Sequence, residues 1–70
     1  MTEYKAMLSD GSIFIFDSRN SLDNMCAELK SRGMITVAGG RISFGGAGYH
    51  EVNQIVLNEP HVVGIYSMAR

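Results

Sequence analysis

The segment Ile13-Phe14-Ile15-Phe16 constrains this chain more than any other. Four consecutive apolar residues, β-branched and aromatic in turn, read as a strand. Side chains alternate across a strand, so Ile13 and Ile15 share one face while Phe14 and Phe16 share the other. Both faces need cover, and the 70 residues contain one strong helical segment. That helix can cover one side of a sheet. The other side must close into a barrel or meet another molecule. The expected fold is therefore α+β: an antiparallel sheet with one helix packed on it, or a small, partly open barrel with the helix plugging one end.

The remaining elements follow from local pattern. Tyr4 to Leu8 reads as a strand with Tyr4, Ala6 and Leu8 on one face. Asp10-Gly11 between it and Ile13 is a hairpin signal, because glycine supplies the positive φ such turns need. Asn20 or Ser21 can cap a helix over about residues 21–32, with Asp23 near its positive end. Leu22, Met25, Cys26 and Leu29 recur at helical spacing, so Cys26 is expected on the buried face. Gly33 is placed to end the helix in the left-handed region. Strands are expected at 34–37 and 41–44, joined by a tight turn at Gly39-Gly40, then at 52–57 and 61–68. Gly64 marks a bulge or a close backbone approach. The order is β-β-α-β-β-β-β in a single domain, residues 1–70.

A chain this short buries only about 60% of the surface its unfolded form exposes. One cysteine rules out an internal disulfide, and two histidines with that cysteine make a poor zinc site, so no metal or cofactor is expected. Self-association then becomes the natural way to add stability, a dimer first. Met7, Phe14, Phe16, Met34 and Tyr66 are the residues expected at that interface, methionine being adaptable at contact surfaces.

The hydrophobic share of 46% and the formal net charge of −1 describe a globular chain that is not a general polyanion binder. RNA or DNA binding is disfavoured on that ground. No apolar run approaches the roughly 20 residues that span a bilayer, and the start lacks a basic stretch followed by an apolar core. A single cysteine fits a reducing compartment, so a cytoplasmic location and no membrane partner are expected.

Five of the eight glycines fall between Ile35 and His50. The part from Gly45 to His50 reads as a mobile loop tipped by Tyr49 and His50. Its backbone N–H groups can cradle an anion, and Arg41 beside it can add charge. Arg41, Gly45, Gly46, Gly48, Tyr49 and His50 are thus the candidate binding residues. A phosphate loop would need Gly-Lys-Ser/Thr, which is missing. No catalytic residue is assigned. Cys26 with His50 or His61 makes a triad only on paper, and Glu51 and Glu59 lie in polar turns.

The run Val52-Asn53-Gln54-Ile55-Val56-Leu57-Asn58-Glu59-Pro60, after a hairpin and a capped helix, resembles a pattern in short bacterial and phage reading frames with no agreed activity. That resemblance implies a small β-rich accessory protein, phage or bacterial, and transfers no site residue. The expected function is a small non-enzymatic binding or inhibitor module, acting through an oligomeric β surface and the glycine loop on a protein partner. The alternatives are a protein that sequesters a nucleotide or small anion and an RNA- or DNA-binding regulator.

Overall fold

The structure, a computed structural model, describes residues 1–46 and 48–68. Ala47, inside the expected glycine loop, lies outside the described residues. The elements are β1 (Thr2–Leu8), β2 (Ile13–Ser18), α1 (Leu22–Arg32), β3 (Met34–Val37), β4 (Gly40–Ser43), β5 (Tyr49–Val52), β6 (Ile55–Asn58), a 3-10 turn (Glu59–His61) and β7 (Val62–Ser67). Five strands form an antiparallel sheet in the order β5-β4-β2-β1-β7, and β3 pairs with β6 in a separate ribbon. One helix on a mostly antiparallel, open sheet is the expected α+β fold, and the barrel alternative is not formed.

The first hairpin turns on Asp10-Gly11. Leu8 N–H donates to Ser12 C=O at 2.9 Å, and Gly11, at φ +89°, donates to Leu8 C=O at 3.0 Å. This closure sets Ala6 opposite Phe14 and Tyr4 opposite Phe16. The small residue makes room for the large one. Phe14 and Phe16 stack with centroids 5.2 Å apart, and Tyr4 packs on Phe16 at 5.7 Å. The buried Tyr4 hydroxyl donates to Asn20 C=O at 2.7 Å, which satisfies it and anchors the chain just before the helix.

Ser21 caps α1, its Oγ accepting from Asn24 N–H at 3.1 Å. Gly33, at φ +78°, ends it with an N–H bond to Leu29 C=O. Met25 and Leu29 enter a single buried cluster with Tyr4, Ala6, Phe14, Phe16 and Ile42 from the sheet, and with Ile35, Val37 and Leu57 from the ribbon. The core thus lies between the inner face of the five-stranded sheet and a second layer made of α1 and the ribbon. Cys26 is half-buried rather than core, because it sits at the flank of α1 beside β7.

Four local expectations are corrected. Gly39-Gly40 is not a hairpin turn, since β3 and β4 belong to different sheets. Gly39, at φ +98°, lets the chain leave the ribbon, and Gly40 passes directly over Phe14. The strand expected at 52–57 is two strands, broken at Asn53-Gln54 where the chain crosses from the sheet to the ribbon. Tyr49 and His50 belong to β5, opposite Ser43 and Ile42, so the glycine loop is shorter than expected. The bulge anticipated at Gly64 falls one residue earlier: Leu8 pairs with Val62 and Met7 with Gly64, leaving Val63 as the extra residue.

Candidate functional site

The outer face of the five-stranded sheet can be built row by row from the register. One row runs Tyr49, Ser43, Ile13, Met7, Gly64, and the next runs Glu51, Arg41, Ile15, Lys5, Tyr66. Asp17 and Glu3 continue the face beyond Ile15 and Lys5. The inner alternates Tyr4, Ala6, Phe14, Phe16 and Ile42 are core residues, so α1 and the ribbon lie on the opposite side. Ile13 and Ile15 are half-buried by their neighbours, while Met7, Tyr49 and Tyr66 are each more than two-fifths exposed.

The polar groups on this face lie beside its aromatic ones. The Arg41 guanidinium lies 3.6 Å from the Glu3 carboxylate and 5.9 Å from the centre of the Tyr49 ring. Lys5 Nζ lies 5.8 Å from the centre of the Tyr66 ring, and the Tyr66 hydroxyl donates to Met7 Sδ at 3.8 Å. Cations placed over aromatic faces are attracted to the ring quadrupole, about 0.5–1 kcal/mol each where exposed. The result is an apolar and aromatic centre crossed by charges of both signs.

The structure divides the expected interface set. Met7 and Tyr66 meet on the outer face. Phe14 and Phe16 are 0% and 2% exposed, so they are core residues and not contact residues, and Ile13 and Ile15 are the outward pair. Met34 is exposed on the ribbon, opposite Asn58, in the other layer. Of the expected ligand residues, Arg41 and Tyr49 share the outer face. His50 pairs opposite the buried Ile42, its ring 6.4 Å from Phe44. Gly45, Gly46 and Gly48, all at positive φ, link β4 to β5. Arg41 therefore directs its charge at Glu3 and Tyr49. Lys5, Glu3, Ile13 and Ile15 were the residues to add, and the hairpin register was the signal that would have found them.

No triad is assembled by the candidate nucleophile and bases. Cys26 lines a cleft with Leu29, Val62 and Ile65. His50 is on β5 and His61 precedes β7, at opposite edges of the sheet, four strand spacings or roughly 19 Å apart. Among the described residues no three His, Cys, Asp or Glu side chains gather as a metal site, and no helix is long and apolar enough to cross a membrane.

The fold is a small open α+β sheet with one face backed by a helix and a ribbon. The chain matches no protein-family model, no curated protein and no solved structure.

Proposed function

We propose that this chain is a small non-enzymatic binding module that self-associates and meets a protein partner through the outer face of its five-stranded sheet. The observation that carries this reading is the composition of that face: Ile13 and Ile15 at its centre, the exposed Met7, Tyr49 and Tyr66 around them, and Lys5 and Arg41 among these. Tyrosine, methionine and arginine are the residues enriched where proteins meet, and an aromatic–aliphatic centre with a charged rim is the usual anatomy. Tyr49, exposed on the first strand after the glycine loop, forms one end of this surface. A single half-buried cysteine suits action in the cytoplasm.

Nucleotide sequestration and nucleic-acid binding draw less support from the same residues. Lys5 and Arg41 share the face with Glu3, Asp17 and Glu51, so it carries no basic excess for a polyanion. A thermal-shift panel of nucleotides, inorganic phosphate and single-stranded RNA tests this. A ligand that binds only the native state raises the melting point. A flat panel is expected. A saturable rise that Arg41→Ala abolishes would overturn the reading in favour of an anion site.

A further inference from the structure

The outer strand β7 has an unpaired edge, and three observations bear on what covers it. The first is the direction of its backbone groups. Leu8 N–H donates towards β2, to Ser12, while Met68 N–H donates to Glu3 C=O at 2.8 Å. Bonded and non-bonded pairs alternate along an antiparallel ladder. The odd-numbered residues of β1 therefore bond to β7, and their partners there are Gly64 and Tyr66. Ile65 and Ser67 turn their N–H and C=O groups away from β1, to the open edge.

The second observation is the chemistry of that edge. Val62-Val63-Gly64-Ile65-Tyr66-Ser67 contains no charged residue and no proline, the usual guards against strand pairing. The bulge at Val63 interrupts only its start. The third is Gly64. Its φ is not in the left-handed region, and a β carbon there would meet nothing within 4 Å. Neither the backbone nor the room inside one subunit calls for glycine, which weakens a strand.

We propose that β7 pairs antiparallel with β7 of a second copy of this chain, Ile65 opposite Ile65, giving a continuous ten-stranded sheet. In this register the edge-directed groups of Ile65 bond to each other across the two-fold axis, and Ser67 faces Val63 on either side. Tyr66 of each copy falls opposite Gly64 of the other on the outer face. Turned from Met7 and Lys5 across the seam, the exposed Tyr66 ring covers that glycine and compensates for its missing side chain. On the inner side the paired Ile65 residues adjoin the cleft of about 170 Å³ that Ile65 lines with Cys26, Leu29, Val62 and Val63, and with the charged Lys30 and Glu59. The pairing rests on the self-association part of the function proposed above, and partner binding by the outer face stands apart from it.

Sedimentation equilibrium and amide hydrogen exchange, on the wild type and two double variants, test the register. Val63 is 73% exposed and Ser67 is exposed, so changes there leave the subunit core intact. The wild type is expected at twice the 7.7 kDa chain mass. Its Ile65 and Ser67 amides should exchange roughly tenfold more slowly in concentrated than in dilute solution. Val63→Lys with Ser67→Lys sets like charges opposite one another in both flanking pairs and should give a monomer. Val63→Lys with Ser67→Glu sets opposite charges there and should restore the dimer. A wild-type monomer at every concentration overturns both the pairing and self-association. A dimer that survives the double-lysine change, with Ile65 and Ser67 still exchanging fast, overturns the pairing alone and assigns self-association to another surface.

Discussion

Gly40 lies against the ring of Phe14: a β carbon on residue 40 would sit 2.6 Å from Cε1 and Cζ of that ring and 2.7 Å from Ile15 C=O. Phe14 is fully buried at the centre of the core, so its ring has nowhere to retreat. Gly40 is thus a residue required by packing, at the point where the chain passes from the ribbon into the sheet. Gly40→Ala should destabilise the fold by about 1–3 kcal/mol, the cost of overpacking a filled core. Urea denaturation measures it, and an unchanged midpoint would contradict the contact.

Gly33 makes a different demand. A β carbon there would meet nothing within 4 Å, but its φ of +78° is one that β-branched residues rarely adopt. Its carbonyl also accepts from Glu59 N–H at 2.8 Å, tying the helix end to the 3-10 turn. Gly33→Val should cost at least about 1 kcal/mol through backbone strain alone. Gly33→Asn should cost less, since asparagine tolerates the left-handed region. Equal losses for the two variants in thermal unfolding would place the cost elsewhere.

The Asp10 carboxylate is held below the ordinary aspartate pKa, chiefly because it accepts from Ser12 N–H at 2.8 Å, with the Ser12 hydroxyl and His61 adding smaller pulls. A lowered folded-state pKa means that the unfolded chain takes up the proton first. The stabilisation is therefore present above the ordinary value of about 3.9 and fades as the pH falls through the lowered one. Asp10→Asn should remove this dependence, so the wild-type and variant acid-unfolding curves converge at low pH. An NMR titration midpoint for Asp10 at or above the ordinary value would contradict it.

The helix, its caps and the first hairpin were legible in the sequence because their signals are local. Ser21, Gly33 and Asp10-Gly11 each act through the backbone within a few residues of themselves. The strand partners were not legible in the same way. Gly39-Gly40 reads as a hairpin turn on local chemistry, yet tertiary packing splits β3 from β4 because Ile35, Val37 and Leu57 complete the layer over the sheet. The choice between Phe14/Phe16 and Ile13/Ile15 as the outward pair follows from the hairpin register. Closing the hairpin at Leu8 and Ser12 sets Ala6 against Phe14, and that small–large pair points inward. The outer face itself was invisible until the order of five strands was known, since its residues come from β1, β2, β4, β5 and β7.

The outer face as a protein-binding surface is tested most directly by affinity capture with matched surface variants. Ile15 lies between Lys5 and Arg41 in the register, so Ile15→Glu places a carboxylate beside two cations and should keep the fold, at a cost within about 1 kcal/mol. Val56, exposed on the ribbon opposite Thr36, supplies the control Val56→Glu on the other layer. Circular dichroism establishes that both variants are folded before capture. A partner protein retained stoichiometrically by the wild type and by Val56→Glu, and lost by Ile15→Glu, is the result this account predicts. Equal retention by Ile15→Glu and the wild type would contradict it.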